Sequence, residues 1–127
     1  MPHFHIDYSG NLETVVDISA LCECIRAAAA SIEAFPLAGI RVRAIRVDHY
    51  AMADGSDKHG YVDIAVRIGA GRAPQVKKDA MHRVFEVARS CLDDAMQTHS
   101  IALSMELRDI NPDYSLKTGS IRDHLET

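Results

Sequence analysis

The chain has no tryptophan, few phenylalanines and tyrosines, and only three cysteines among its 127 residues. An odd cysteine count excludes a fully paired disulfide framework. Cys22 and Cys24 also sit in a segment of helical pattern where such close neighbours do not easily bridge, so Cys22, Cys24 and Cys91 read as reduced thiols. No apolar run approaches the roughly 20 residues that span a bilayer. The start, Met1-Pro2-His3-Phe4-His5, lacks the basic segment followed by a long apolar one that marks a secretory signal. The expectation is a cytoplasmic protein without a membrane partner. Basic residues are not in excess either: 14 Lys and Arg stand against 18 Asp and Glu, a net charge of -4. That balance argues against a nucleic-acid partner, which needs a basic patch. There is no Gly-x-Ser-x-Gly or Walker-type loop, and Gly69-x-Gly71 is too short for a dinucleotide fingerprint. His3 and His5 share a strand face and His49 and His59 flank a loop, but no Cys/His spacing matches a zinc site, so no metal is expected.

What is present is a chain that should fold. A 47% hydrophobic and 25% charged composition fits a soluble globular protein, and the length suits one domain over 1–127, with a polar peripheral tail from about residue 112. From Pro2 to Tyr8, Pro2, Phe4, Ile6 and Tyr8 alternate with His3, His5 and Asp7, a strand pattern. Leu21, Ile25, Ala28 and Ile32 fall at helical spacing between about Asp17 and Ala34. Ile40, Val42 and Ala44 then alternate with Arg41 and Arg43 before the apolar parity slips to Ile45 and Val47. That slip predicts a bulge near Ala44-Ile45, with Arg46 returned to the face of Arg41 and Arg43. Ala53 to Gly60 reads as a loop, and Val62, Ile64, Val66 and Ile68 as the core face of a third strand. Pro74 opens a second helix with Val76, Ala80, Val84, Val87, Cys91 and Ala95 on one stripe, running to about Thr98. Ile101, Leu103, Met105 and Leu107 make a last strand, ended by Asn111-Pro112. The order predicts an α/β (α+β) sandwich: two βαβ units giving a four-stranded mixed sheet with two helices on one face. The uncovered face is expected to meet other subunits.

Two features could carry chemistry. A methionine followed by a small residue is normally removed, which would leave Pro2 as a secondary amine at the end of an apolar strand face. Burial and neighbouring cations disfavour the protonated form, so such an amine can act as a general base at neutral pH. Arg41 follows the run Phe35-Pro36-Leu37-Ala38-Gly39-Ile40, and Arg72 follows Gly69-Ala70-Gly71 directly before the second helix. Glycine lets backbone approach a ligand, a helix N-terminus favours negative charge, and arginine grips a carboxylate bidentately, so these positions suit an anion.

Met1-Pro2-His3-Phe4, Phe35 to Arg41, Met52-Ala53-Asp54-Gly55 and Ile68 to Arg72, in this order, give a sequence that resembles the 5-carboxymethyl-2-hydroxymuconate isomerase family of the tautomerase superfamily. The resemblance covers nearly the whole chain. It implies a tautomerase-like fold, a homotrimer, and a cofactor-independent enzyme of homoprotocatechuate breakdown. The reaction it implies is isomerisation of 5-carboxymethyl-2-hydroxymuconate to 5-carboxymethyl-2-oxo-hex-3-ene-1,6-dioate, with Pro2 moving the proton while Arg41 and Arg72 hold carboxylates. Two other readings stay open at this point: a tautomerase of another 2-hydroxymuconate-like or 2-oxo acid, and a non-catalytic binding module on the same scaffold.

Overall fold

Alternation makes the strands and a 3.6-residue period makes the helices. The computed structural model describes residues 1–125. Phe4, Ile6 and Tyr8 are buried while His3, His5 and Asp7 are only half covered, and this two-residue period runs through β1, His3–Ser9. The same logic gives β2 (Arg41–Val47), β3 (His59–Gly69) and β4 (Ser100–Ile110). The sheet order is β2-β1-β3-β4, with β1 parallel to β2, antiparallel to β3, and β3 parallel to β4. It is the mixed sheet of two βαβ units that the sequence predicts.

Helix α1 spans Ile18–Ala30, and the Asp17 carboxylate caps it by accepting the Ala20 N–H at 3.0 Å. Its buried stripe is Leu21, Ile25, Ala28 and Ala29. The helix ends four residues before the expected Ala34. Ser31 turns its hydroxyl onto the Ala28 carbonyl at 2.6 Å, and the following residues form a turn in which the Phe35 N–H reaches the Ile32 carbonyl. Helix α2 spans Pro74–Thr98, as expected, with Pro74 in its first turn, where the missing N–H costs nothing. Its buried stripe is Ala80, Val84, Ala88 and Leu92. Of the stripe expected from the sequence, Ala80 and Val84 are buried and Val87 and Ala95 pack against the core, whereas Val76 and Cys91 are exposed. The helix is rotated so that the smaller Ala88 meets its neighbours and Leu92 is inserted in place of the thiol. Cys91 instead lies beside Cys24 of α1, and partial desolvation together with that neighbouring thiol pushes its own thiol up to about 11.

Both helices share one core with the sheet, in which Phe4, Ile6, Leu21, Ile25, Ile64, Ile68, Val84 and Leu92 are almost fully buried. Phe4 and Phe35 meet edge to face at 6.3 Å, an arrangement the ring quadrupoles favour. The residues of opposite parity stand on the face without helices.

The bulge expected near Ala44-Ile45 does not form. Pairing of β2 with β1 is one to one from His3 with Arg41 to Ser9 with Val47. Arg46 therefore sits beside Tyr8 on the helix side, apart from Arg41 and Arg43, and its guanidinium crosses Gly10 to pair with Asp48 at 2.8 Å. The parity slip has another cause. β2 is an edge strand, and Ile45 and Val47 place apolar side chains on the helix-free face, where Ile45 remains 49% exposed.

Gly60 closes the far end of the sheet. A Cβ there would stand 2.7 Å from Leu12 Cδ2 and 3.2 Å from Ser9 Oγ, and Ser9 is fixed because its hydroxyl accepts the Tyr61 N–H at 2.9 Å. Gly60→Ala should therefore destabilise the fold by about 1–3 kcal/mol, the usual cost of overpacking. A lower urea midpoint at unchanged m-value is the expected readout.

Candidate active site

The N-terminal end of β1 is built as a junction of three segments. The Pro2 side chain is almost fully buried, and the Pro2 carbonyl accepts the Arg41 N–H at 3.1 Å, which ties the start of β2 to the start of the chain. Gly39, in the turn before β2, passes so close that a Cβ would meet the Met1 Cα at 3.0 Å. From the other side, the end of β3 arrives: a Cβ on Gly69 would lie 3.5 Å from Arg72 Nη1 and 3.9 Å from the Met1 nitrogen. The three sequence candidates, Pro2, Arg41 and Arg72, are thus brought together.

Arg72 is held by backbone. Its Nε and Nη2 donate to the Ala34 carbonyl at 3.2 and 2.9 Å, and Nη1 donates to the Gly69 carbonyl at 2.7 Å. Gly71 makes this turn possible with a φ of 105°, a conformation that side chains disfavour. A guanidinium has five N–H donors, so one on Nη1 and one on Nη2 remain, enough to grip one carboxylate. The guanidinium is turned back toward the Ala34 and Gly69 carbonyls, on the side of the chain's beginning.

Arg41 stands on the helix-free face, in register with His3, Arg67 and Arg108 across the four strands. This end of the face is cationic, while Asp7 and Asp63 occupy the other end, receiving hydrogen bonds from Tyr61 at 2.6 Å and Ser104 at 2.7 Å respectively. The cations disfavour any further positive charge. Burial first, then Arg67, Arg41 and Arg43, hold the His3 imidazole below its ordinary range, and His3 Nδ1 is buried without a hydrogen-bond partner among the described residues. The amine of Met1 is pushed down for the same reasons, by burial and then by Arg72, Lys117 and Arg41.

A cavity of about 480 Å³ opens at this junction, lined by Met1, Pro36, Gly39 and Arg41 and closed by residues of the C-terminal tail, among them Lys117 and Arg122. A wider depression of about 750 Å³ between α1 and β2 also touches Arg41. Met1 does not line it and Arg72 lines neither, so the smaller cavity is the one that Met1 shares with Arg41, Lys117 and Arg122. Lys117 and Arg122 escaped the sequence reading because nothing in a polar tail signals that it returns to the other end of the chain. The Ala34 and Gly69 carbonyls escaped it because backbone acceptors leave no residue-type signature. Among the described residues no three His, Cys, Asp or Glu side chains group as metal ligands, and no helix is long and apolar enough to cross a membrane.

Residues 2–125 match the family described as 5-carboxymethyl-2-hydroxymuconate isomerase. The chain belongs to that family. It is 32% identical over 121 residues to the 5-carboxymethyl-2-hydroxymuconate Delta-isomerase of Escherichia coli, covering 95% of this chain and 96% of the relative. A crystal structure of a 5-carboxymethyl-2-hydroxymuconate delta-isomerase superposes with a TM-score of 0.92 at 29% identity, over 100% of this chain and 94% of the other. The isomerase from Deinococcus radiodurans R1 gives 0.89, also at 29% identity, over 99% and 95%. A fused 4-OT symmetric trimer, at 17% identity and a TM-score of 0.64 over 87% and 88%, shares the fold.

Proposed function

We propose that this isomerase-family chain converts 5-carboxymethyl-2-hydroxymuconate to 5-carboxymethyl-2-oxo-hex-3-ene-1,6-dioate in the cytoplasm, in the breakdown of homoprotocatechuate, with Pro2 as the acid–base group. The observation that carries the reading is the meeting of the β1 terminus with Arg41 at one cavity, with Arg72 Nη1 and the Met1 nitrogen both close to Gly69. Removal of Met1 leaves the Pro2 nitrogen as the terminal amine there. In its neutral form it takes the proton from the 2-hydroxyl. The oxygen electrons form the C2=O bond, the C2=C3 pair moves to C3=C4, and the C4=C5 pair takes the proton back at C5. Proton and double bonds balance, so no cofactor is called for. Arg41 and Arg72 hold carboxylates and stabilise the charge that gathers on the forming ketone. The test is ultraviolet-monitored conversion of the dienol by Met1-processed protein; turnover no faster than in buffer alone would overturn the proposal.

The working unit is a homotrimer in this reading. Two helices cover one face of the sheet, and the other face is zoned, cationic around His3, Arg41 and Arg67 and acidic around Asp7 and Asp63, so copies can meet with charge complementarity. Light scattering at micromolar concentration should give three times the 14.0 kDa chain mass. A mass of one chain would refute the trimer.

A further inference from the structure

The substrate of the proposed reaction carries three carboxylates, whereas the sequence offers two arginines for them. On a chain of net charge -4, a trianion needs local positive charge for every carboxylate it buries. The tail supplies it. Beyond β4 the chain turns at Pro112–Tyr114 and comes back so that Lys117, Thr118, Gly119 and Arg122 form the wall of the cavity opposite Gly39 and Arg41. None of residues 111–124 is buried, so this segment adds little to the core that would account for its course. The short turn Ile121–His124, closed by the Asp123 N–H on the Ser120 carbonyl at 3.1 Å, carries Arg122, which lines the same cavity as Lys117. Among the described residues, Asp123 is the one acidic side chain on the cavity wall, against three cations, Arg41, Lys117 and Arg122. A volume of about 480 Å³ suits a ligand of this size.

We propose that Lys117 and Arg122 form a subsite for the third carboxylate, that of the carboxymethyl arm, and so select tricarboxylate dienols over plain 2-hydroxymuconate. This rests on the reaction proposed above for its substrate, and on the cavity alone for its location. Lys117 also acts on the amine, more strongly than Arg41 does. That effect is common to both substrates, so a comparison between them isolates the contact with the arm.

Lys117→Gln and Arg122→Gln are exposed changes that thermal melts should register as nearly neutral. In each, kcat/KM for 5-carboxymethyl-2-hydroxymuconate divided by that for 2-hydroxymuconate should fall about tenfold, the worth of one charge-assisted hydrogen bond. KM should carry most of the change. A ratio untouched in both variants overturns the subsite. Calorimetry with two unreactive probes, propane-1,2,3-tricarboxylate and glutarate, gives the same comparison without turnover: the wild type should prefer the tricarboxylate, and both variants should lose that preference. If the dienol is not turned over but the preference depends on Lys117 and Arg122, the reaction is wrong and the subsite stands. If turnover is rapid and both ratios ignore these residues, the reaction stands and the subsite falls.

Discussion

A chain carrying one extra residue ahead of Pro2 should isomerise the dienol about 10²- to 10⁴-fold more slowly than the processed protein, the range a positioned acid–base group contributes. The extra residue converts the Pro2 amine into an amide, whose nitrogen has no basic lone pair, and it fills the space that Met1 occupies between Gly39 and Gly69. Pro2→Ala should fall less, because alanine still offers an amine, though a primary one without the ring that is buried here. The pH profile provides a second reading of the same group. Only the neutral amine accepts a proton, so kcat/KM should rise with pH through the amine pKa and then level off. Burial and the charges of Arg72, Lys117 and Arg41 push down the amine of Met1, and a Pro2 amine left by removal of Met1 is expected to feel the same cations from the start of β1. The midpoint of the rise should therefore lie below about 8, the ordinary value for an α-amino group. Equal rates for the extended and processed chains would remove Pro2 from the mechanism.

Much of this was readable in advance because it depends on periodicity. Phe4, Ile6, Val62, Ile64, Val66 and Ile68 alternate strictly, and a one-residue slip in such a strand would expose a whole core face, so their positions in the core followed from spacing. Proline at the first turn of α2 marked that helix's start, and helical spacing alone put the start of α1 near Asp17. The pattern misled where burial is one-sided or weak. At β2, an edge strand, apolar Ile45 stands on the uncovered face, and a hydrophobic pattern cannot tell that from a bulge. On α2, Val76 is more hydrophobic than Ala88 but stays exposed while Ala88 is buried, so packing geometry decided the stripe. Pro2 stood out as a terminal amine in waiting on an apolar strand face, and Arg41 and Arg72 as arginines close behind glycines, patterns that on their own more often mark structural residues. Their convergence needed the parallel pairing of β1 with β2 and the turn at Gly71, which are long-range facts. Lys117 and Arg122 are separated from Pro2 by more than a hundred residues, and only the return of the tail reveals them.

Arg72→Ala should raise KM for the dienol about 10- to 100-fold, since a bidentate charge-assisted contact is worth roughly 1.5–3 kcal/mol and each 1.4 kcal/mol is tenfold in affinity. A larger share of the loss in kcat than in KM would indicate that Arg72 acts chiefly on the developing ketone. Arg72→Lys should rescue little. The native guanidinium spends three N–H groups on the Ala34 and Gly69 carbonyls and in the proposed reaction offers the remaining two to a carboxylate, whereas an ammonium has three donors in all and no plane to fix their direction. Both variants also separate charge from contact. Arg72 is the charged residue that most lowers the Met1 amine, so in Arg72→Ala the midpoint of the kcat/KM profile should move to higher pH. Lysine keeps the positive charge and should leave that midpoint near the wild-type value while KM stays high. A midpoint that shifts equally in both variants would mean that Arg72 tunes the amine through the position of the loop at Gly69 to Gly71 and not through its charge.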